Sequence, residues 1–232
     1  MRDGRLTGIE ACVFDAYGTL FDFNGAARAV SGELGADWQK LSEIWRQKQL
    51  QYTWLRGLAG RHADFWQVTG EALDYALSTL GLERPGLHAR LLDLYLQLGC
   101  YADVPATLQQ LRARGMRLAI LSNGTPAMLA AVVRNSRLDE FFDAVLSVEE
   151  VGVFKPHPAV YRLAPERLQL APEAICFLSA NAWDAWCAKA SGLRVVWCNR
   201  FAQAAERLPA TPDGEISDLT QLPSIVCPPP SS

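Results

Sequence analysis

Several features are missing from this chain, and each absence narrows what it can be. No apolar stretch approaches the roughly 18 residues that cross a bilayer as a helix. The opening Met1 to Gly8 is polar and has no apolar core, so it does not read as a secretory signal. Lys and Arg are dispersed and slightly outnumbered, 22 against 25 acidic residues, for a formal net charge of −3. A general nucleic-acid binder carries a basic surplus, so that class is set aside. No glycine-rich phosphate loop is present, which argues against a nucleotide-binding protein. There is no internal repeat.

Disulfides are also not expected, although the six cysteines form an even number. Cys12, Cys176 and Cys198 sit inside apolar runs, where Cys behaves as a small buried hydrophobe. The expectation is a reduced, cytoplasmic protein. The tail, Cys227-Pro-Pro-Pro-Ser-Ser, is expected to lack regular structure.

What is present points to a layered α/β fold. With 232 residues, half of them hydrophobic, the chain can bury a sizeable core. It is long for one domain and short for two. Four short apolar runs each end in polar residues. Ile9 to Phe14 ends at Asp15, and Arg117 to Leu121 at Ser122-Asn123-Gly124. Ala174 to Leu178 ends at Ser179-Ala180-Asn181, and Leu193 to Trp197 at Cys198-Asn199-Arg200. Phe142 to Val148 is a weaker fifth run. Such runs suit buried parallel strands. Helical patterns lie between them, over Pro105 to Arg114 and from Pro126 to Val133. The alternation predicts a doubly wound, Rossmann-like parallel sheet, with ligands bound outside the carboxyl ends of the strands. The segment 24–99 breaks the alternation, with helical patterns over Leu41 to Leu58, Phe65 to Leu80 and Leu87 to Leu98. It reads as a helical cap subdomain of residues 24–99 inserted into a core of 1–23 and 100–232. A cap of this kind closes a site from water.

Asp15, directly after an apolar strand, is either a turn residue or a carboxylate aimed into the cleft. Its context decides for the second. Asp15-Ala-Tyr-Gly-Thr-Leu, Leu121-Ser-Asn-Gly, Phe154-Lys-Pro and Ser179-Ala-Asn-Ala-Trp-Asp184 resemble the four ordered motifs of the haloacid dehalogenase superfamily. The helical insertion also falls where that family places its cap. Phosphatases of the superfamily usually read Asp-x-Asp at the first motif, the second Asp protonating the leaving alcohol. Here that position is Tyr17, which is no carboxylic acid at neutral pH. The fourth motif supplies only Asp184 as a carboxylate, so a magnesium site is poorly furnished. Neither metal nor cofactor is expected.

The resemblance is closest to the L-2-haloacid dehalogenases, in the first and fourth motifs and in the cap stretch from Trp45 to Arg56. Many members carry a second Ser where this chain has Ala180. The resemblance implies hydrolysis of short-chain (S)-2-haloalkanoic acids to 2-hydroxy acids, with inversion, and a homodimer. Asp15 would displace halide and form an ester. Asp184 would activate the water that cleaves it, with Asn181 positioning that water. Lys155 would keep both carboxylates ionised. Arg46 and Asn123 would receive the halide; alone on a helix, Arg46 would more often be a surface charge. Ser122, Thr19 and Ser179 would bind the substrate carboxylate or orient Asp15. Tyr161 would bond near Lys155 and Asp184. Tyr17, Leu50, Phe65 and Trp183 would wall the pocket, although plain core packing would explain them as well. A magnesium-dependent phosphatase of the same fold is the alternative, and a catalytically idle capped binding protein is a more distant one.

Overall fold

The computed structural model describes residues 5–226, so the Cys227–Ser232 tail lies outside the described residues. Six parallel strands form one sheet: β1 (Ala11–Phe14), β2 (Arg117–Ser122), β3 (Ala144–Ser147), β4 (Ile175–Ser179), β5 (Arg194–Cys198) and β6 (Gly214–Ile216). Their spatial order is β3-β2-β1-β4-β5-β6, which places β1 centrally and reverses direction between β1 and β4. Every residue of β1 and β4 is buried, as a parallel sheet covered on both faces requires.

The segment inserted after β1 carries five helices: α1 (Gly25–Ala29), α2 (Ser31–Leu34), α3 (Asp37–Ala59), α4 (Phe65–Leu80) and α5 (Leu87–Tyr95). The other five are α6 (Val104–Ala113), α7 (Pro126–Asn135), α8 (Pro158–Leu168), α9 (Ala182–Ala190) and α10 (Leu222–Ile225). Local chemistry sets several boundaries. Asp64 caps α4 by accepting from the Gln67 N–H at 2.8 Å, and Thr125 caps α7 by accepting from the Met128 N–H at 3.2 Å. Pro126 follows at the first helical position, where a missing N–H leaves nothing unsatisfied. Among the described residues no helix is long and apolar enough to cross a membrane.

The structure corrects some expected boundaries. Ala174 closes a 3₁₀ turn, Pro172–Ala174, instead of opening β4. The weak run from Phe142 contributes only Ala144–Ser147 to the sheet. The last patterned cap helix stops at Tyr95, three residues early. Leu55 and Leu58, apolar positions of α3, are 53% and 87% exposed and add nothing to the core. β6 was not expected: it is three residues long and adds an edge strand to β5.

Candidate active site

The site forms where strand ends meet the inserted helices. Asp15 leaves β1 with its N–H still bonded to the Leu178 carbonyl, so the strand direction aims its carboxylate out of the sheet end. The chain then turns sharply: the N–H groups of Leu20 and Phe21 both reach the Ala16 carbonyl. Gly18 takes φ +97°, in the left-handed region that a side chain would strain. That turn brings Thr19 back to Asp15. Its Oγ1 donates to Asp15 Oδ2 at 3.0 Å and accepts from the Ala180 N–H at 2.8 Å. The contribution of position 180 to this link is therefore a backbone N–H, indifferent to Ala or Ser.

A buried lysine joins two carboxylates. Lys155 Nζ donates to Asp15 Oδ1 at 3.0 Å and to Asp184 Oδ2 at 2.8 Å. The side chains of Lys155, Asp15 and Asp184 are 1%, 9% and 0% exposed, so these ion pairs are almost dry. Tyr161 donates to the other oxygen, Asp184 Oδ1, at 2.7 Å. Burial works against the Lys155 ammonium, but the two carboxylates overcome it and raise its pKa. At Asp184 burial is the larger influence; it raises the carboxyl despite the opposing Lys155 charge. At Asp184 the Lys155 charge favours the ionised form while dehydration disfavours it. The Tyr161 and Tyr17 hydroxyls are held well above the ordinary phenol value, chiefly by burial.

Asn181 sits at the start of α9 and bridges core and insertion. Its Nδ2 donates to Asp15 Oδ2 at 2.9 Å and to the Tyr17 carbonyl at 3.3 Å. Its Oδ1 accepts from Arg46 Nη2 at 3.2 Å, and the same nitrogen reaches the Tyr17 carbonyl at 3.2 Å. Arg46 comes from α3, so one inserted helix delivers a guanidinium to the strand ends.

Asp15, Tyr17, Arg46, Leu50, Phe65, Ser122, Asn123, Lys155, Asn181 and Trp183 line a small cavity of about 10 Å³, on the scale of a single water. All ten were singled out in the sequence. Arg46, Leu50, Asn181 and Trp183 also border an open cleft of about 680 Å³, so they stand between the two spaces. Tyr17 is held between aromatics, stacked on Tyr95 at 5.3 Å and tilted against Phe65 at 6.1 Å. The remaining four expected residues do not line the cavity. Thr19, Asp184 and Tyr161 are bonded behind it as described, whereas Ser179 Oγ accepts from the Asn181 N–H at 3.2 Å. Asn123 lines the cavity while its Oδ1 accepts from the Lys155 N–H at 3.0 Å, fixing that loop.

Sequence reasoning gives no role to two contributors, Arg200 just past β5 and Gln49 on α3. Arg200 Nε and Nη2 donate to the Thr19 carbonyl at 3.2 and 3.0 Å, and Arg200 pairs with Asp103 at 2.8 Å. Gln49 Oε1 accepts from Arg46 Nη1 at 2.8 Å. Each is a common surface residue type that the fold happens to bury.

The donor set suits no magnesium ion. The oxygens of Asp15 and the Tyr17 carbonyl, which a hard cation would want, already accept from N–H and O–H groups. Among the described residues no three of His, Cys, Asp or Glu converge to hold a metal.

Residues 9–192 match the pattern of the haloacid dehalogenase-like hydrolases. The chain belongs to that family. It is 46% identical over 219 residues to (S)-2-haloacid dehalogenase 1 of Pseudomonas sp. (strain CBS-3), covering 94% of this chain and 96% of that one. Haloacetate dehalogenase H-2 of Moraxella sp. (strain B) is 41% identical over 206 residues, or 88% of this chain and 92% of its own length. Among solved structures, an L-2-haloacid dehalogenase from Xanthobacter autotrophicus with chloropropionic acid covalently bound superimposes with a TM-score of 0.87. It is 40% identical, over 93% of this chain and 97% of that one. The fold of this family member is thus the one a covalent haloacid adduct occupies in a relative.

Proposed function

We propose that this haloacid dehalogenase-like hydrolase converts short-chain (S)-2-haloalkanoic acids to 2-hydroxy acids, with inversion, through an ester on Asp15. The observation that carries the reading is the setting of Asp15. Its carboxylate faces a small cavity, paired to a buried Lys155 and opposite an Arg46 that has no carboxylate partner among the described residues.

The chemistry follows from that setting. Asp15 attacks C2 in line and expels halide. Halide is a weak base and leaves without a proton, so the site needs no second acid. Tyr17 stands where an acid would be required for an alcohol, and burial makes its hydroxyl even less acidic. Arg46 and Asn123 receive the halide, and Ser122 takes the substrate carboxylate. Leu50, Phe65, Trp183 and Tyr17 keep water out during this step. Water then attacks the ester carbonyl. Donors stand at both Asp15 oxygens, so whichever is not alkylated has N–H or O–H groups ready for the developing charge. Asp184 is the base, and its raised pKa makes it a stronger one than an exposed aspartate. Tyr161 and Lys155 hold Asp184, Asn181 and Thr19 hold Asp15, and Ser179 fixes the turn that carries Asn181.

The reading includes a cap of residues 24–99 on a core of 1–23 and 100–232. It also includes a homodimer in the cytoplasm. Free thiols at all five described cysteines support a reducing compartment. The exposed Trp54, Leu55 and Leu58 on α3 support a covered face, which sedimentation would check.

The deciding experiment is halide release from each enantiomer of 2-chloropropionate, with and without chelator. Release from the (S) enantiomer, unchanged by chelator, is expected. No release from either, with magnesium-dependent phosphatase activity instead, would refute the reading.

A further inference from the structure

Among the described residues Arg46 makes no ion pair. Its hydrogen-bond acceptors are all neutral: Gln49 Oε1 at 2.8 Å, and the Tyr17 carbonyl and Asn181 Oδ1 at 3.2 Å each. A carboxylate is the usual partner for a guanidinium, because both bonds and charge are matched. Here a carboxylate would cancel the charge that a departing anion needs.

The shortest of these contacts is also the most firmly built. Gln49 lies one turn along α3 from Arg46 and is 1% exposed. Its Nε2 donates to Thr69 Oγ1 at 2.7 Å and to the Tyr95 hydroxyl at 3.2 Å. The orientation of the amide is not arbitrary. Thr69 gives its hydroxyl proton to the Phe65 carbonyl at 2.6 Å, so toward Gln49 it can only accept. The NH₂ end must face Thr69, which leaves the oxygen for Arg46. Trp45 locks the same region by donating its indole N–H to the Thr69 carbonyl at 2.9 Å, and its ring packs on Tyr95 at 5.2 Å. Three inserted helices, α3, α4 and α5, therefore converge on one nitrogen of Arg46. That rigidity matters because a free arginine side chain has many rotamers to lose when it meets an anion.

We propose that Gln49 is a positioning residue that clamps Arg46 through a neutral acceptor, and that this neutrality sets how strongly the site stabilises the leaving halide. The inference rests on the dehalogenase reading above. It makes Gln49 a determinant of halogen preference, although it touches neither substrate nor halide.

Two variants test it, each compared with the unaltered chain on 2-bromo- and 2-chloropropionate, with inhibition by added bromide measured in parallel. Gln49→Glu keeps an oxygen at Arg46 and adds a charge. Gln49→Met keeps the volume and the neutrality but removes the acceptor. Chloride is the poorer leaving group and leans harder on Arg46. Gln49→Glu should therefore lower kcat for the chloro acid relative to the bromo acid by roughly tenfold or more, and weaken bromide inhibition by a similar factor. Gln49→Met should shift both in the same direction by less, with KM changing little in either variant. A merely structural role would lower both kcat values equally. If Gln49→Glu does not fold, Gln49→Met decides alone. A folded variant whose chloro-to-bromo ratio and bromide inhibition stay within about twofold of the unaltered chain would overturn the inference. Halide release by the unaltered chain is the control. An inert parent defeats the dehalogenase reading and this inference with it, whereas an active parent with unshifted variants defeats the inference alone.

Discussion

Replacing Lys155 with Met tests whether the centre of the site is an electrostatic assembly or a packed one. The methionine fills most of the lysine volume, so the main change is loss of an ammonium bonded to Asp15 at 3.0 Å and Asp184 at 2.8 Å. Two nearly dry carboxylates then face each other. Removing one partner of a buried ion pair costs about 3–5 kcal/mol. The lower end applies, because Thr19 and Asn181 still donate to Asp15 and Tyr161 still donates to Asp184. A loss of about 3 kcal/mol at pH 8 corresponds to a fall in Tm of roughly 6–12 °C for a chain of this size. The loss must also depend on pH. Without the ammonium, the folded-state pKa of Asp184, already raised by burial, rises further. A carboxyl with a raised folded pKa binds its proton more tightly when folded, so the folded state loses stability as pH rises. Urea unfolding of parent and Lys155→Met at pH 8 and pH 5 should show the gap closing toward the acid side, with halide release abolished at pH 8. A stability loss under about 1 kcal/mol, or one of equal size at both pH values, would refute this account.

The other predictions concern single steps. Asp184→Asn should release about one halide per subunit and then stop, with the chain heavier by the substrate less its halide; sustained turnover would remove Asp184 from the base role. In Gly124→Ala the added Cβ would lie 3.0 Å from the Tyr17 ring and 3.1 Å from Leu129. That crowding should cost about 1–3 kcal/mol of stability and lower kcat/KM by displacing the pocket wall, and unchanged kinetics would contradict it. The pH profile of kcat should lose activity on the acid side as Asp184 takes a proton, at a pKa above the ordinary 3.8. On the alkaline side, loss of the Lys155 proton should come above the ordinary 10.5, so a limb near neutrality would be unexplained.

Much of the fold was legible because its signals are local and repeated. A strand buried on both faces must be apolar throughout, and β1, β2, β4 and β5 could be read for that reason. The end of each run then marked the site, since a parallel sheet delivers those ends to one edge. β6 could not be read. Its three residues, Gly-Glu-Ile, follow the irregular stretch 199–213 and have no period of their own; the Asp213 carboxylate sets their place by accepting from Lys189, Arg194 and the Val195 N–H.

The site itself divides along the same line. Asp15 stands at a strand end, Asp184 in the first turn of α9 and Lys155 in the turn before α8, each within a motif whose order in the chain is conspicuous. Gln49 has no such marker, because glutamine on a long helix is by default a solvated residue. Only when α4 and α5 fold against α3 does it become a buried amide with its oxygen and its NH₂ group both satisfied. Sequence periodicity assigns the neighbouring apolar residues to the inner face of α3, but it does not say that a polar one shares that face. What it misses is the cost of burying an amide, about 1–3 kcal/mol if left unpaired. That cost is offset here by three hydrogen bonds, one of them to the guanidinium that borders the reaction cavity. A buried polar group so fully satisfied beside a catalytic cavity is therefore a better pointer to mechanism than the aromatic wall around it, whose packing the core would require in any case.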